Sequence, residues 1–245
     1  MDSELLSIMN TVLNDIPSHV AVAFSGGLDS AILAKLLEGR CRLYIAGAQD
    51  SQDIQEGVAL ADAHGWDVLP VIMDEGTVRA LLPRIVPLLS SPSPMTFNFN
   101  LPLFLSAESA CEMTVVAGHG ADELFGGYDR YTRMDDETFM EESEKDVEAL
   151  IGGDLQDSKS IVASTGHVME TPYLSRQVVE HAMSLPRDMR CDKKALRNTA
   201  RELGLEVHDR RKKAAQFGSG AARLLKRIVR EEGCGETELI NAHRR

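Results

Sequence analysis

Val20-Ala21-Val22-Ala23-Phe24-Ser25-Gly26-Gly27-Leu28-Asp29-Ser30-Ala31-Ile32-Leu33-Ala34-Lys35-Leu36-Leu37 is the stretch on which the fold turns. Residues 20–24 form a short apolar run of the kind a buried strand makes. A hydroxyl, two glycines, an acid and a second hydroxyl follow, and then Ile32, Leu33, Leu36 and Leu37 recur at helical spacing. The pattern predicts a strand, a tight glycine turn and the start of a helix. At such a junction backbone N–H groups point outward and the helix dipole favours an anion. Glycine lets the backbone approach a phosphate and take positive φ, and Ser25 and Ser30 add hydroxyl donors. There is no Gly-Lys-Ser/Thr, so this is not a Walker A loop. Taken alone, the residues also allow the less favoured reading of a junction in which Gly26-Gly27 turns the chain and Asp29 caps the helix.

Around this stretch the chain is ordinary in bulk. It has 245 residues, 43% hydrophobic and 26% charged, which fits a soluble globular protein. No apolar run reaches the ~18 residues that span a bilayer, and Met1-Asp2-Ser3-Glu4 lacks the basic start of a secretory signal. A cytoplasmic protein with no membrane partner is expected. Cys41, Cys111, Cys191 and Cys234 show neither Cys-x-x-Cys nor zinc spacing, so buried or incidental thiols are expected. With Asp rather than Cys at position 2, an N-terminal-nucleophile type of glutaminase is not expected in this sequence, and no cysteine pair is placed to carry sulfur. A formal net charge of −12 argues against a nucleic-acid partner, which needs clustered Lys and Arg. Local basic runs occur at 210–213 and 223–230.

In chain order, an amphipathic helix over 2–14 ends at Pro17, and the central strand follows. Further strands are predicted near 41–46, 67–72 and 113–117, with helices at 54–64, 78–89 (divided by Pro83 and Pro87) and 101–111. Ser90-Ser91-Pro92-Ser93-Pro94 reads as a loop. Strand alternating with helix predicts an α/β fold with a parallel sheet of about four or five strands flanked by helices. After a solvated acidic helix over 135–148 only helices are expected, at 146–151, 154–165, 175–184, 192–203 and 219–232, giving a helical C-terminal half. The reading is one domain over 1–245, with a nucleotide-binding core at 16–131, a helical portion at 132–232 and a loose tail at 233–245.

A second unusual stretch follows the 113–117 strand: Gly118-His119-Gly120-Ala121-Asp122-Glu123-Leu124-Phe125-Gly126-Gly127-Tyr128. In open α/β sheets ligands bind at the carboxyl ends of the strands, so Asp29 and Asp122 would face one edge. A carboxylate beside a polyphosphate repels it unless a cation lies between them, and Mg²⁺ accepts one or two carboxylates plus phosphate oxygens. Asp29 and Asp122 are therefore the candidate Mg²⁺ ligands, against the pyrophosphate of ATP.

The Ser25–Ser30 turn resembles the pyrophosphate-binding loop of the N-type ATP pyrophosphatases, which cleave ATP between the α and β phosphates (the adenine nucleotide alpha hydrolase-like fold). Together with Gly120–Tyr128 it is similar to the synthetase domain of the asparagine synthetase family and its relative β-lactam synthetase. Thr171-Pro172-Tyr173-Leu174 with Leu185-Pro186, and Lys193-Lys194-Ala195-Leu196-Arg197 with Arg211-Lys212-Lys213 before Gln216-Phe217, resemble two further segments of that family.

The resemblance implies an AMP-forming amide ligase that uses ATP and Mg²⁺. A carboxylate, aspartate or a related acid, attacks the α-phosphate, and ammonia then displaces AMP. The ammonia is free or comes from a separate glutaminase subunit. By position, Ser25, Gly26, Gly27, Asp29 and Ser30 would cradle pyrophosphate. Ala23 and Ala46 would offer backbone to adenine and ribose, Gly118 would approach the nucleotide, and Lys213 would stabilise phosphate charge, one residue out of the family's register with Phe217. His119 stands where the family has the Glu assigned to proton handling on the attacking nitrogen. A His of ordinary pKa can accept that proton or simply order the loop. Ser175 and Glu170 replace an Asp and an Arg on the family's substrate side. Two other readings stay open: an adenylating enzyme of the same superfamily acting on tRNA or another substrate, and a nucleotide-binding subunit with an altered site.

Overall fold

Val20 and Val22 pack into one side of a sheet and Ala21 into the other, the period of two that a strand imposes. The computed structural model describes residues 3–209 and 218–244. Strand β1 (Val20–Ala23) is central. The others are β2 (Cys41–Gly47), β3 (Val68–Ile72), β4 (Thr114–Val116) and β5 (Val168–Glu170), in the order β3-β2-β1-β4-β5, every pairing parallel. This is the parallel α/β sheet that the sequence predicts. Pro70 is tolerated in β3 because that strand lies at an edge.

Helices cover both faces, as parallel crossovers require. On the Val20/Val22 side lie α1 (Ser3–Asn14), α2 (Leu28–Leu36) and α3 (Gln52–His64). The Ala21 side is covered chiefly by α4 (Glu75–Ile85), α5 (Pro94–Ser109), α7 (Asp136–Gly152) and α8 (Asp154–Ser164), with the short α6 (Ala121–Leu124) following β4. Helices α9 (Arg176–Ser184) and α11 (Lys194–Glu202), joined through α10 (Arg187–Arg190), return to the first face. Helix α12 (Ala221–Glu232) packs with α4 and α5 on the second.

The strand order places the site. Strands β1, β2 and β3 step outward in one direction, and β4 then enters on the other side of β1. The sheet thus reverses between β1 and β4, and crevices form at such reversals at the strands' carboxyl ends. The loops that leave this point lead into α2 and α6, whose first turns carry Asp29 and Asp122.

Four expectations need correction. Helix α5 begins at Pro94, not at 101. The Ser93 hydroxyl accepts from Thr96 N at 3.1 Å, and Thr96 returns the bond to Ser93 N. The weak helix formers Asn98 and Asn100 and the interior Pro102 hide this start in the sequence. The C-terminal half is not purely helical: β5 adds a strand, but only Met169 of its three residues is buried, too short a run to show a period. The tail is not loose either. Gly233 stops α12 in the left-handed region, and α13 (Glu236–Asn241) then buries Leu239 and Ile240 in the core. The expected helix at 146–151 is the end of α7.

Candidate active site

Small side chains open the cleft. Ala23, Ala46 and Ala117, at the ends of three adjacent strands, form its floor, and Leu103 and Ser106 of α5 form one wall. Larger residues at those alanine positions would close the space. Ser106 is fixed by donating to Tyr44 O at 3.3 Å. Ala23 and Ala46 therefore border the slot.

The Ser25–Ser30 turn lies above that floor. Its hydroxyls bind the turn itself: Ser25 N donates to Ser30 Oγ at 3.2 Å, Ser30 Oγ to Gly27 O at 3.2 Å, and Gly27 N to Ser25 Oγ at 3.4 Å. Helix α2 starts here with no side-chain cap on its N-terminus, so Asp29 does not act as a cap. Gly26 has φ +68°, and a Cβ there would fall 2.6 Å from Gly57 Cα. That glycine is required by the turn and by the close passage of α3. Gly118 approaches Asp29, with 3.3 Å from its hypothetical Cβ to Asp29 Cβ.

Asp29 and Asp122 converge on one cation, the ammonium of Lys193. Its Nζ lies 2.8 and 2.7 Å from the two Asp29 oxygens and 2.6 Å from Asp122 Oδ1. The side chains of Lys193 and Asp29 are almost fully buried, and that of Asp122 is partly so. Lys193 reaches this position from a strained backbone: Asp192 and Lys193 have φ of 54° and 56°, each costing roughly 1–2 kcal/mol for a residue other than glycine. Two hydrogen bonds hold the strained pair, Asp192 N to Gly126 O at 3.0 Å and Lys193 N to Phe125 O at 2.8 Å. Gly127 makes room for the charges, since a Cβ there would lie 2.1 Å from Asp122 Oδ1 and 2.4 Å from Lys193 Cε.

Two convergent carboxylates with no soft ligand are the donor set that Mg²⁺ accepts alongside phosphate oxygens. In this structure the cation they hold is the Lys193 ammonium, which lies between them.

The surroundings fix this group. Buried Tyr173 donates its hydroxyl to Asp29 O at 3.0 Å, which gives the Pro172-Tyr173-Leu174 segment a definite role. Glu123, next to Asp122, is buried and accepts from Tyr128 OH at 2.5 Å; burial pushes its carboxyl above the usual range. Glu170 and Ser175 line a separate depression with Val12 and Pro17, so the two substitutions expected on the substrate side do not border this cleft.

His119 lines the cleft. Its Nε2 is 3.2 Å from Ser158 Oγ, and its ring meets the edge of Phe99 at 5.6 Å between centroids. Lys213 lies outside the described residues. Downstream, Gly218 sits against Asp53, which also lines the cleft.

Lys193 is the functional residue that sequence reasoning missed, although its segment carried part of the family resemblance. It lies in an Asp-Lys-Lys run that reads as a solvated helix start. No signal in the chain marks which of the two lysines turns inward.

The chain is similar to several known proteins. A Methanocaldococcus jannaschii protein named as an asparagine synthetase (glutamine-hydrolyzing) is 26% identical over 275 residues, covering 93% of this chain and 51% of that protein. The human asparagine synthetase (glutamine-hydrolyzing) is 23% identical over 192 residues, 73% of this chain and 34% of that one. The chain thus spans about half the length of the first relative and about a third of the second. A solved NMN synthetase from Francisella tularensis superposes with a TM-score of 0.48 at 14% identity, covering 99% of this chain and 90% of that one. The asparagine synthase family profile matches residues 17–158, which include both glycine–acid motifs, and the chain belongs to the asparagine synthase family.

Proposed function

We propose that this chain is an ATP-dependent, AMP-forming amide ligase: it adenylates a carboxylate, aspartate or a related acid, releases pyrophosphate, and passes the acyl group to ammonia. One observation carries the reading. Asp29 and Asp122, from the first turns of α2 and α6 at the reversal of the sheet, converge on a single cation beside a slot floored by Ala23, Ala46 and Ala117. Nothing in a merely structural helix start calls for that convergence.

In this reading ATP lies with its adenosine against Ala23 and Ala46 and with Gly118 beside it. The β and γ phosphates meet the N-terminus of α2, where Ser25, Gly26, Gly27 and Ser30 exchange their internal hydrogen bonds for bonds to phosphate oxygen. Asp29 and Asp122 would hold Mg²⁺, which neutralises charge on the departing pyrophosphate. Lys193, bonded to both carboxylates, would turn from them toward the phosphates as the ion binds and add a positive charge there, where preorganised electrostatics act most strongly. Lys213 would add another. His119 is the candidate base for the attacking nitrogen, in place of the family's Glu. The ammonia is free or delivered by a separate glutaminase.

The test is incorporation of ¹⁵N-ammonia into a panel of carboxylic acids, with AMP measured in the same reaction. One acid should be amidated with one AMP formed per amide. His119→Gln should keep ATP–pyrophosphate exchange while amide formation falls about 10²–10⁴-fold. AMP formation that no acid stimulates would refute the ligase assignment.

A further inference from the structure

We infer that Ser158 and Asn100 are positioning residues that hold His119 as its Nε2–H tautomer, so that Nδ1 is the nitrogen that takes the proton. The inference rests on the proposed role of His119 and adds which atom acts and what fixes it.

The chain of hydrogen bonds has a forced direction. Asn100 Nδ2 donates to Thr96 O at 3.0 Å. A backbone carbonyl can only accept, so the amide nitrogen faces Thr96 and Oδ1 faces the other way. That oxygen, also only an acceptor, receives the Ser158 hydroxyl at 2.9 Å. A serine hydroxyl has one proton. With it committed to Asn100, Ser158 Oγ is left as an acceptor toward His119 Nε2, 3.2 Å away. A neutral imidazole that donates from Nε2 carries its lone pair on Nδ1.

Burial makes the direction hard to reverse. Asn100 is 1% exposed and Ser158 is fully buried. Turning the Ser158 proton toward His119 would strip the donor from a buried amide oxygen, an arrangement that folded proteins avoid. The next residue anchors the helix that carries the serine: Asp157 accepts from Ser90 N at 2.9 and 3.0 Å and from Ser90 Oγ at 3.1 Å. The edge contact with Phe99 limits ring rotation from the other side. A base oriented by a third group is the general pattern of acid–base sites; here the orienting acceptor is a neutral hydroxyl.

The step balances as follows. Ammonia forms the C–N bond to the acyl-adenylate and the bond from that carbon to the AMP oxygen breaks, with the electron pair leaving on AMP. The surplus N–H proton passes to His119 Nδ1. The resulting imidazolium keeps its Nε2–H on Ser158 Oγ, so no second proton moves through the relay.

Two measurements test this on the intact chain. In ¹⁵N-histidine-labelled protein without substrates, long-range ¹H–¹⁵N correlation above the pH of imidazole titration should show His119 as Nε2–H alone, with no proton on Nδ1. Ser158→Ala should convert that signal to a mixture of tautomers. In the same variant, amide formation should fall roughly 10–100-fold, a size typical of removing a partner that fixes a histidine tautomer, while ATP–pyrophosphate exchange stays at the wild-type rate. Ser158→Thr, which keeps the hydroxyl, should restore the single tautomer. An Nδ1–H signal in the wild type overturns the inference. So does Ser158→Ala in which both half-reactions are unchanged, or in which both fall together. Because the tautomer is read without turnover, its outcome stands apart from whether the chain proves to be an amide ligase.

Discussion

Lys193 Nζ binds both carboxylate oxygens of Asp29, at 2.8 and 2.7 Å, although the two residues are 164 positions apart in the chain, and neither side chain is more than 8% exposed. Removing one partner of such a pair leaves an uncompensated buried charge, which costs about 3–5 kcal/mol. Lys193→Met should therefore lower thermal stability sharply in buffer with EDTA. Because Asp29 and Asp122 then face each other without a counter-ion, added Mg²⁺ should raise the melting temperature of the variant more than that of the wild type. Equal Mg²⁺ effects on the two proteins would show that the carboxylates do not form a cation site.

Gly127→Ala tests the same group by steric means. Its Cβ would strike Asp122 Oδ1 and Lys193 Cε at 2.1 and 2.4 Å, whereas a Cβ at Gly152 meets nothing within 4 Å. Gly127→Ala should abolish pyrophosphate release and destabilise the fold. Gly152→Ala should leave activity intact and change stability by no more than ~1 kcal/mol. Normal activity in Gly127→Ala would mean that the ion triad is not needed.

All four tyrosines, Tyr44, Tyr128, Tyr131 and Tyr173, have their hydroxyl pKa raised, in each case first by burial. The folded chain then keeps protons that the unfolded chain loses near pH 10. With more protons bound in the native state, stability falls as pH rises above that value. Tyrosinate absorbance should thus stay low through pH 10 and appear together with the loss of far-ultraviolet circular dichroism. Tyrosinate forming in a protein that is still folded near pH 10 would contradict the burial of these hydroxyls.

The sequence carries the sheet core and the acidic pair because both are local. Val20 to Ser30 contains strand, turn and helix start in one run, and Asp122 is flanked by glycines that mark a turn. Residues that join the site from a distance leave no such mark. Lys193 is delivered by two left-handed residues with no glycine to announce them, and Gly127 has its reason only once Lys193 is in place. Ser158 and Asn100 sit inside ordinary helical segments, and only the packing of α5 against α8 brings them to His119. Strand β5 was missed for a related cause: a single buried side chain cannot show alternation.

The central claim, cleavage of ATP between its α and β phosphates at the Asp29–Asp122 site, is tested most directly by ³¹P NMR of the products formed with Mg²⁺, ammonia and an acceptor acid. The account predicts AMP and pyrophosphate from the wild type, with Asp29→Asn and Asp122→Asn slowed by at least ~100-fold, the scale on which losing one preorganised electrostatic partner acts. ADP and orthophosphate as products, or both variants turning over ATP at the wild-type rate, would contradict it.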